Sequence, residues 1–474
     1  MDTLIAMIND LMWGAVLIYL LIGVGLFFTF RLGFIQIRHF GHMFSVLRNS
    51  RKSDSAGISS FQALCTSLAA RVGTGNLAGV AVAIYLGGPG AIFWMWLIAF
   101  IGMATAFVES TLAQLYKVKD EDGNYRGGPA YYMERGLGMR WMGVLFSIFL
   151  IISFGLAFNS VQANSISGAM QSAFGIPNWI TGVVLAALSG IVIFGGLRSI
   201  ARFSELVVPF MATVYLLLAV VIVGMNLEKL PEVFMTIIHS AFGLEQAGAG
   251  ALGYTIAQGM MNGIKRGLFS NEAGMGSAPN TAATASPYPP HPASQGYVQM
   301  MGVFIDTIVI CTCTAAIILL SNQYVPGNEL TGIKLTQAAL SEHIGNAGNI
   351  FIAFAVFFFA FTSIVANYAY AENNLVFLEH NHPARLAIFR LCVLGMVMFG
   401  AVAELPLVWT LADISMAFMI VTNLIAIILM SGTAAKLAKD YNAQRKAGKL
   451  PTFDVNDYPE MKAKIEPGIW DNNK

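Results

Sequence analysis

The chain has 474 residues, of which 56% are hydrophobic and 11% charged, with a mean hydropathy of +0.65 and a net charge of +1. A soluble domain carries about 25% charged residues, so this balance excludes an ordinary soluble enzyme. The near-neutral charge gives no nucleic acid a reason to bind, and the partner the composition asks for is a lipid bilayer.

Crossing a hydrocarbon core of about 30 Å takes about 20 apolar residues. Eleven such spans are predicted, near 12–30, 61–84, 91–116, 141–173, 178–195, 205–225, 250–285, 297–320, 348–377, 387–402 and 407–432. The first lacks the basic region and small-residue cleavage site of a signal peptide and reads as an uncleaved span. Those near 250–285 and 348–377 are long enough to be tilted, interrupted or extended beyond the bilayer. The largest polar blocks, 31–60, 117–140 and the tail from 433, are too small for a soluble catalytic domain. Cys65, Cys311, Cys313 and Cys392 all lie in apolar runs and are expected as small hydrophobes at helix interfaces.

Basic residues set the orientation. Arg31, Arg38, Arg48, Arg51 and Lys52 share one side with Lys117, Lys119, Arg126, Arg135 and Arg140, with Arg198, Arg202, Arg385 and Arg390, and with the tail's eight lysines and arginines, Lys436 to Lys474. The opposite loops keep only Lys229 and Lys334. This asymmetry places the N-terminus outside and the C-terminus in the cytoplasm of a bacterial-type inner membrane. It also supports the odd span number. Without the first span, ten remain, which divide into two halves of five that must run in opposite directions. The expected organisation is therefore an extra N-terminal helix and loop (1–60), a first repeat (61–225), an inverted second repeat (250–433) and a cytoplasmic tail (434–474).

The first span of each half is interrupted by glycine and polar residues. The breaks read Arg71-Val72-Gly73-Thr74-Gly75-Asn76 and Phe269-Ser270-Asn271-Glu272-Ala273-Gly274-Met275-Gly276-Ser277. Unwound backbone is tolerated at membrane depth only where protein or a watery cavity surrounds it. A matched pair of breaks in the two halves points to a transporter's substrate site. An interrupted helix presents free N–H groups at one end and free C=O groups at the other. Together these hold an anion and a cation, and so a zwitterion, without a charged side chain. Gly73 and Gly75 allow close backbone approach, and Thr74 and Asn76 offer side-chain hydrogen bonds. A lone Gly-x-Gly also fits a close helix crossing. The matched second break decides for a site.

In that second break, Ser270, Asn271 and Glu272 are polar at a depth where such groups are uncommon. Glu272 reads either as a cap of the broken helix, paired with Lys265 or Arg266, or as a coupling group. Phe269 and Met275 flank the break and are placed to cap a small apolar pocket. In span 9, Thr362 and Ser363 offer two hydroxyl oxygens to a hard cation begun by backbone carbonyls. Bonding to their own helix is the plainer use of such hydroxyls. On span 4, Asn159 and Gln162 share a helix face. Glu109, Glu205, Asp306 and Asp413 are further intramembrane acids, and Glu109 is placed to accept hydrogen bonds from a break. None of the seven histidines shows a zinc or hydrolase spacing.

The run Gly87-Gly88-Pro89-Gly90-Ala91-Ile92-Phe93-Trp94-Met95-Trp96, continuing to Gly102, resembles the signature of the alanine or glycine:cation symporters, also called sodium:alanine symporters. The stretch from Arg266 through Ser270-Asn271-Glu272 to Pro279, and Gly302-Val303-Phe304-Ile305-Asp306-Thr307, resemble two further motifs of that family. The likeness covers nearly the whole chain except the tail. It implies an all-α polytopic fold of the leucine-transporter type, a member of the amino acid–polyamine–organocation superfamily, and sodium-coupled uptake of alanine or glycine by alternating access. It further implies that Thr74, Gly75, Phe269 and Thr362 sit at the substrate, with Gln162 a looser match. A sodium ion would be held by carbonyls around Ala70 and Gly73 together with Thr362 and Ser363. The nearest alternative is proton coupling through Glu272 or Glu109. A channel would need repeated pore linings, and an enzyme a nucleophile–base pair or metal cluster; the spans offer neither.

Overall fold

The computed structural model describes residues 2–244, 249–380 and 382–471, so Lys474 lies outside the description. Lipid offers no partners to backbone groups, so each apolar segment closes its own hydrogen bonds as a helix. Numbered in chain order, the spans are 1, Thr3–Arg31; 2, the pair Ser60–Arg71 and Gly75–Gly87; 3, Ala91–Leu115; 4, Arg140–Phe174; 5, Asn178–Ile193; 6, Gly196–Met225. Then follow 7, Ala249–Asn271; 8, Pro292–Leu319; 9, Asn346–Glu379; 10, Pro383–Val402; 11, Leu405–Leu429. Among the described residues, eight helices are long and apolar enough to cross a membrane, and the bent pair of span 2 makes nine. The other two predicted segments are also helical, one short and apolar, the other ending in the second break.

Span 2 starts on a reciprocal cap. The Ser59 hydroxyl accepts from Gln62 N, and the Gln62 side-chain oxygen accepts from Ser59 N. Its two pieces bend by 49° at the first break. Span 7 crosses spans 2 and 3 closely because small residues line the contact: a Cβ on Gly263 would lie 2.3 Å from the Ala91 carbonyl. Span 2 packs on span 7, span 3 on span 8, span 4 on span 9 and span 5 on span 10, each with the span five places later.

The face that carries most of the basic residues is elaborated by short strands: β1 (Ile58–Ser59), β2 (Val118–Lys119), β3 (Tyr125–Arg126) and β4 (Ala285–Ser286). β2 and β3 form a hairpin. β1 and β4 pair in parallel, tying the entry to span 2 to the segment after the second break. The tail folds back over this face. Phe453 N donates to Pro290 O, Trp470 Nε1 to Gln114 O and Lys464 Nζ to Gly136 O, and Arg135 pairs with Glu466. One sequence expectation fails here: Cys392 is exposed on span 10, while the other three cysteines are buried. Span 10 is a peripheral helix with much of its surface facing outward, so an apolar run did not imply an interface.

Candidate functional site

The first helix piece ends at Arg71, and Val72 leaves helical geometry at ψ 86°. The amides this frees find side chains: Gly73 N donates to Asn76 Oδ1 (2.9 Å), and Thr74 N to Gln162 Oε1 on span 4 (2.9 Å). Close approach explains both glycines. A Cβ on Gly73 would lie 2.2 Å from Ser363 Oγ, and one on Gly75 would lie 2.9 Å from the Phe269 ring. Thr74 Oγ1 is buried with no hydrogen-bond partner, which leaves a polar atom for a ligand to satisfy.

At the second break, Glu272, Gly274 and Gly276 take positive φ of 60°, 89° and 78°, turning the chain out of the helix. Glu109 of span 3 caps it. Its two carboxylate oxygens accept from Gly274 N (3.0 Å) and Gly276 N (3.1 Å), and Asn423 Nδ2 adds a third bond at 2.9 Å. Asn423 also donates to Gly274 O and accepts from Tyr132. Glu272 accepts from Ser277 Oγ across the break, at 2.8 Å. It pairs with neither Lys265 nor Arg266. Once the chain turns at Glu272 its carboxylate leaves the helix that carries them; Arg266 pairs with Asp413 of span 11 and covers the Trp409 ring, and Lys265 lies over Trp13.

Span 9 meets the first break through Ser363, whose hydroxyl lies 2.7 Å from Ala69 O and 3.0 Å from Phe359 O; Thr362 Oγ1 donates to Phe359 O. The carbonyl bonded to Ser363 thus belongs to Ala69, one residue before Ala70. The structure brings Gly73, Thr74, Gly75, Gln162, Phe269 and Ser363 together. Thr362 adjoins them on span 9. Met275 is buried within the second break. Asn76 and Ser270 turn instead to Asp306 of span 8. Asn271 caps Ala273 N, and its own amide nitrogen is buried without a partner.

Phe269 lies between Phe158 (4.4 Å between ring centres) and Trp409 (4.8 Å). On the far side of Trp409 and the Arg266–Asp413 pair, a cavity of about 300 Å³ opens toward the face opposite the basic one, lined also by Asn9, Tyr85 and Asn262. On the basic face a second cavity, of about 330 Å³, holds Arg126, Arg198, Glu372 and Arg390. A separate small cavity, of about 10 Å³, shares Arg126 and Glu372 with it and lies beside Asn280 and Asn373. There Asn280 Oδ1 accepts from both Asn373 and Asn374. The two larger cavities lie on opposite faces of the molecule. Sequence reading named neither Phe158 nor Trp409. The signal for the second was present: Arg266 and Asp413 are opposite charges at membrane depth, which must find each other.

A family model described as the sodium:alanine symporter family matches residues 1–455. The chain belongs to the sodium:alanine symporter family. Among its relatives, a probable sodium/glutamine symporter, GlnT, of Bacillus subtilis (strain 168) is 50% identical over 96% of this chain and 93% of its own. The sodium/alanine symporter AgcS of Methanococcus maripaludis is 41% identical over 94% of this chain and 98% of its own. A crystal structure of a mutant form of the Eremococcus coleocola manganese transporter aligns with a TM-score of 0.52 at 12% identity, covering 80% of this chain and 85% of that one. At that identity the likeness shows the fold: all-α, polytopic and of the leucine-transporter type, as the motifs implied. Among the described residues, no three His, Cys, Asp or Glu side chains converge as a metal cluster. This family member is a multi-pass membrane transporter of the sodium and amino-acid symporter kind.

Proposed function

We propose that the protein takes up alanine or glycine with sodium by alternating access, from outside a bacterial-type inner membrane into the cytoplasm. The basic face is then the cytoplasmic one. The two cavities mark the two approaches to one site, and spans 2–6 and 7–11 are the inverted halves between which it lies. The observation that carries the reading is the meeting at the first break: unwound backbone, the orphan Thr74 hydroxyl, the Gln162 side chain, the Phe269 ring against Gly75, and Ser363 against Ala69 O. The substrate's polar groups would satisfy Thr74 and the break's backbone. The Phe269 ring against Gly75 crowds the break, which favours alanine and glycine over the glutamine in one relative's name. Sodium would take Ser363 and Thr362 oxygens with carbonyls of Ala69, Ala70 and Gly73, replacing the hydrogen bond that Ser363 now makes.

Proton coupling is the second reading. Both oxygens of Glu109 are taken by backbone amides, which suits a fixed cap rather than a carrier, so this reading rests on Glu272. Labelled alanine uptake into proteoliposomes should require an inward sodium gradient. Uptake that persists when choline replaces sodium, and collapses with a protonophore at clamped sodium, would favour the proton. The Thr362→Ala, Ser363→Ala double variant should raise the sodium needed for half-maximal uptake at least tenfold; an unchanged requirement would remove sodium from that place.

A further inference from the structure

Two buried side chains at the end of span 3 reach across to the segment that leaves the second break. Gln114 Nε2 donates to Ala282 O and to Ala285 O (3.0 Å), and Lys117 Nζ also donates to Ala285 O (3.0 Å). Ala282 ends the short helix Pro279–Ala282, and Ala285 lies in β4, which pairs with β1 at the entry to span 2. The ends of span 3, the entry to span 2 and the run 279–286 are thus tied at one point. Gln114 and Lys117 lie outside the substrate and sodium groups named above.

Lys117 is only 1% exposed, and its ammonium faces the Tyr125 ring at 3.9 Å and the Trp470 ring at 5.1 Å. A carbonyl and two ring faces are neutral company for a strongly hydrated ion, which stays on Ala285 O only while water is kept out. Trp470 keeps it out, with its own Nε1 bonded to Gln114 O (3.1 Å). The tail holds Trp470 in place. Val455 N donates to Trp470 O (3.0 Å), Phe453 meets the indole edge-on (5.6 Å), and Phe453 N donates to Pro290 O (3.0 Å). Lys464 and Glu466 grip Gly136 O and Arg135, between spans 3 and 4. At its start the tail is the helix Ser431–Lys446, running on from span 11, where Asp440 takes His291 and Asn442 takes Tyr297. One strap therefore joins spans 8 and 11 to the end of span 3. Its outer anchors, Lys464, Glu466 and Trp470, lie beyond residue 455, where the family model ends.

We propose that the tail is the cytoplasmic clasp of the transport cycle, with Trp470 and Lys117 as its positioning residues. While the indole covers Lys117, the run 279–286 stays against span 3; when the ring lifts, water reaches the ammonium and the tie to Ala285 O is lost. Asn280, Thr281 and Thr284 of that run wall the small cavity of about 10 Å³, with Ala369 of span 9 opposite, so parting the run from span 3 widens it. The proposal rests on the alternating-access reading above and adds the element that times inward opening.

The test uses the purified full chain carrying Cys392→Ser, to remove the exposed thiol, and Ala369→Cys in the cavity wall. A polar thiol reagent should label Ala369→Cys about fivefold faster once Trp470→Ala is added, in protein that still melts cooperatively. Trp470→Phe, which keeps a ring over Lys117 without the indole N–H, should fall between. An unchanged labelling rate in Trp470→Ala overturns the clasp. Should Trp470→Ala fail to fold, a Pro290→Cys, Phe453→Cys pair serves in its place. Oxidising that pair in proteoliposomes should slow sodium-driven alanine uptake about fivefold at unchanged KM, and reductant should restore it. Uptake untouched by complete cross-linking overturns the clasp. No sodium-driven uptake from the reduced protein overturns the symport reading instead, and the labelling rates then decide the clasp alone.

Discussion

Gly75 carries a specific steric demand, because a methyl group there would meet the Phe269 ring at 2.9 Å. Phe269 is itself held between Phe158 and Trp409 and has little freedom to retreat. Gly75→Ala is therefore expected to raise the uptake KM at least tenfold, and more for alanine than for glycine. Equal, unchanged KM values for the two substrates would move the pocket elsewhere. Glu109 makes a different kind of demand. Glutamine in its place offers one acceptor oxygen where two backbone amides now bond, so one amide is orphaned at a cost of about 2 kcal/mol. Glu109→Gln should lower the melting temperature in detergent, and an unchanged melting temperature would contradict the capping role. Both residues stood out in the sequence, Gly75 by its spacing and Glu109 as an acid at membrane depth. What did not stand out is that Gly75 meets the Phe269 ring and which of the two breaks Glu109 caps, because contacts across more than a hundred residues leave no local pattern. The bond from Ser363 to the Ala69 carbonyl, across 294 residues, shows the same limit.

At the scale of elements, each predicted span contains a helix, because long apolar runs in a bilayer have one way to satisfy their backbone. The helix of the one near 250–285, however, stops at Asn271, inside the second break. The tail was less legible. It is polar and non-periodic, and it docks through scattered anchors such as Trp470 on Gln114 O. Next to it, on the loop helices after span 1, Arg445 Nη2 donates to His39 Nδ1 (2.8 Å), and His42 meets Tyr441. Burial first, and Arg445 second, hold both histidines down from 6.5 to about 4. The unfolded chain takes up those protons near 6.5 and the folded chain does not. Their contribution to stability is thus full above 6.5 and is lost as the pH falls toward 4. The melting temperature should drop between pH 6.5 and 5, less steeply in a His39→Asn, His42→Asn variant; parallel curves would contradict this. On the opposite face, Asp413→Asn removes the partner of Arg266. It should speed reagent labelling of a cysteine placed at Asn262, in the cavity that Trp409 also lines. An unchanged labelling rate would show that this pair does not close the cavity.

Over the whole molecule, spans 2, 3, 4 and 5 each pack on the span five places later, an arrangement that no run of residues announces. What sequence could not supply is how the two breaks are joined: that one carboxylate, Asp306, receives hydrogen bonds from both, or that cavities open on the two opposite faces. The central claim is that a sodium gradient drives a small amino acid through that junction. The direct measurement is labelled alanine accumulation in proteoliposomes with sodium outside, against the same vesicles with sodium equal on both sides and no proton gradient. Accumulation above equilibrium only under the inward sodium gradient is the expected result. Accumulation that ignores sodium would contradict the account.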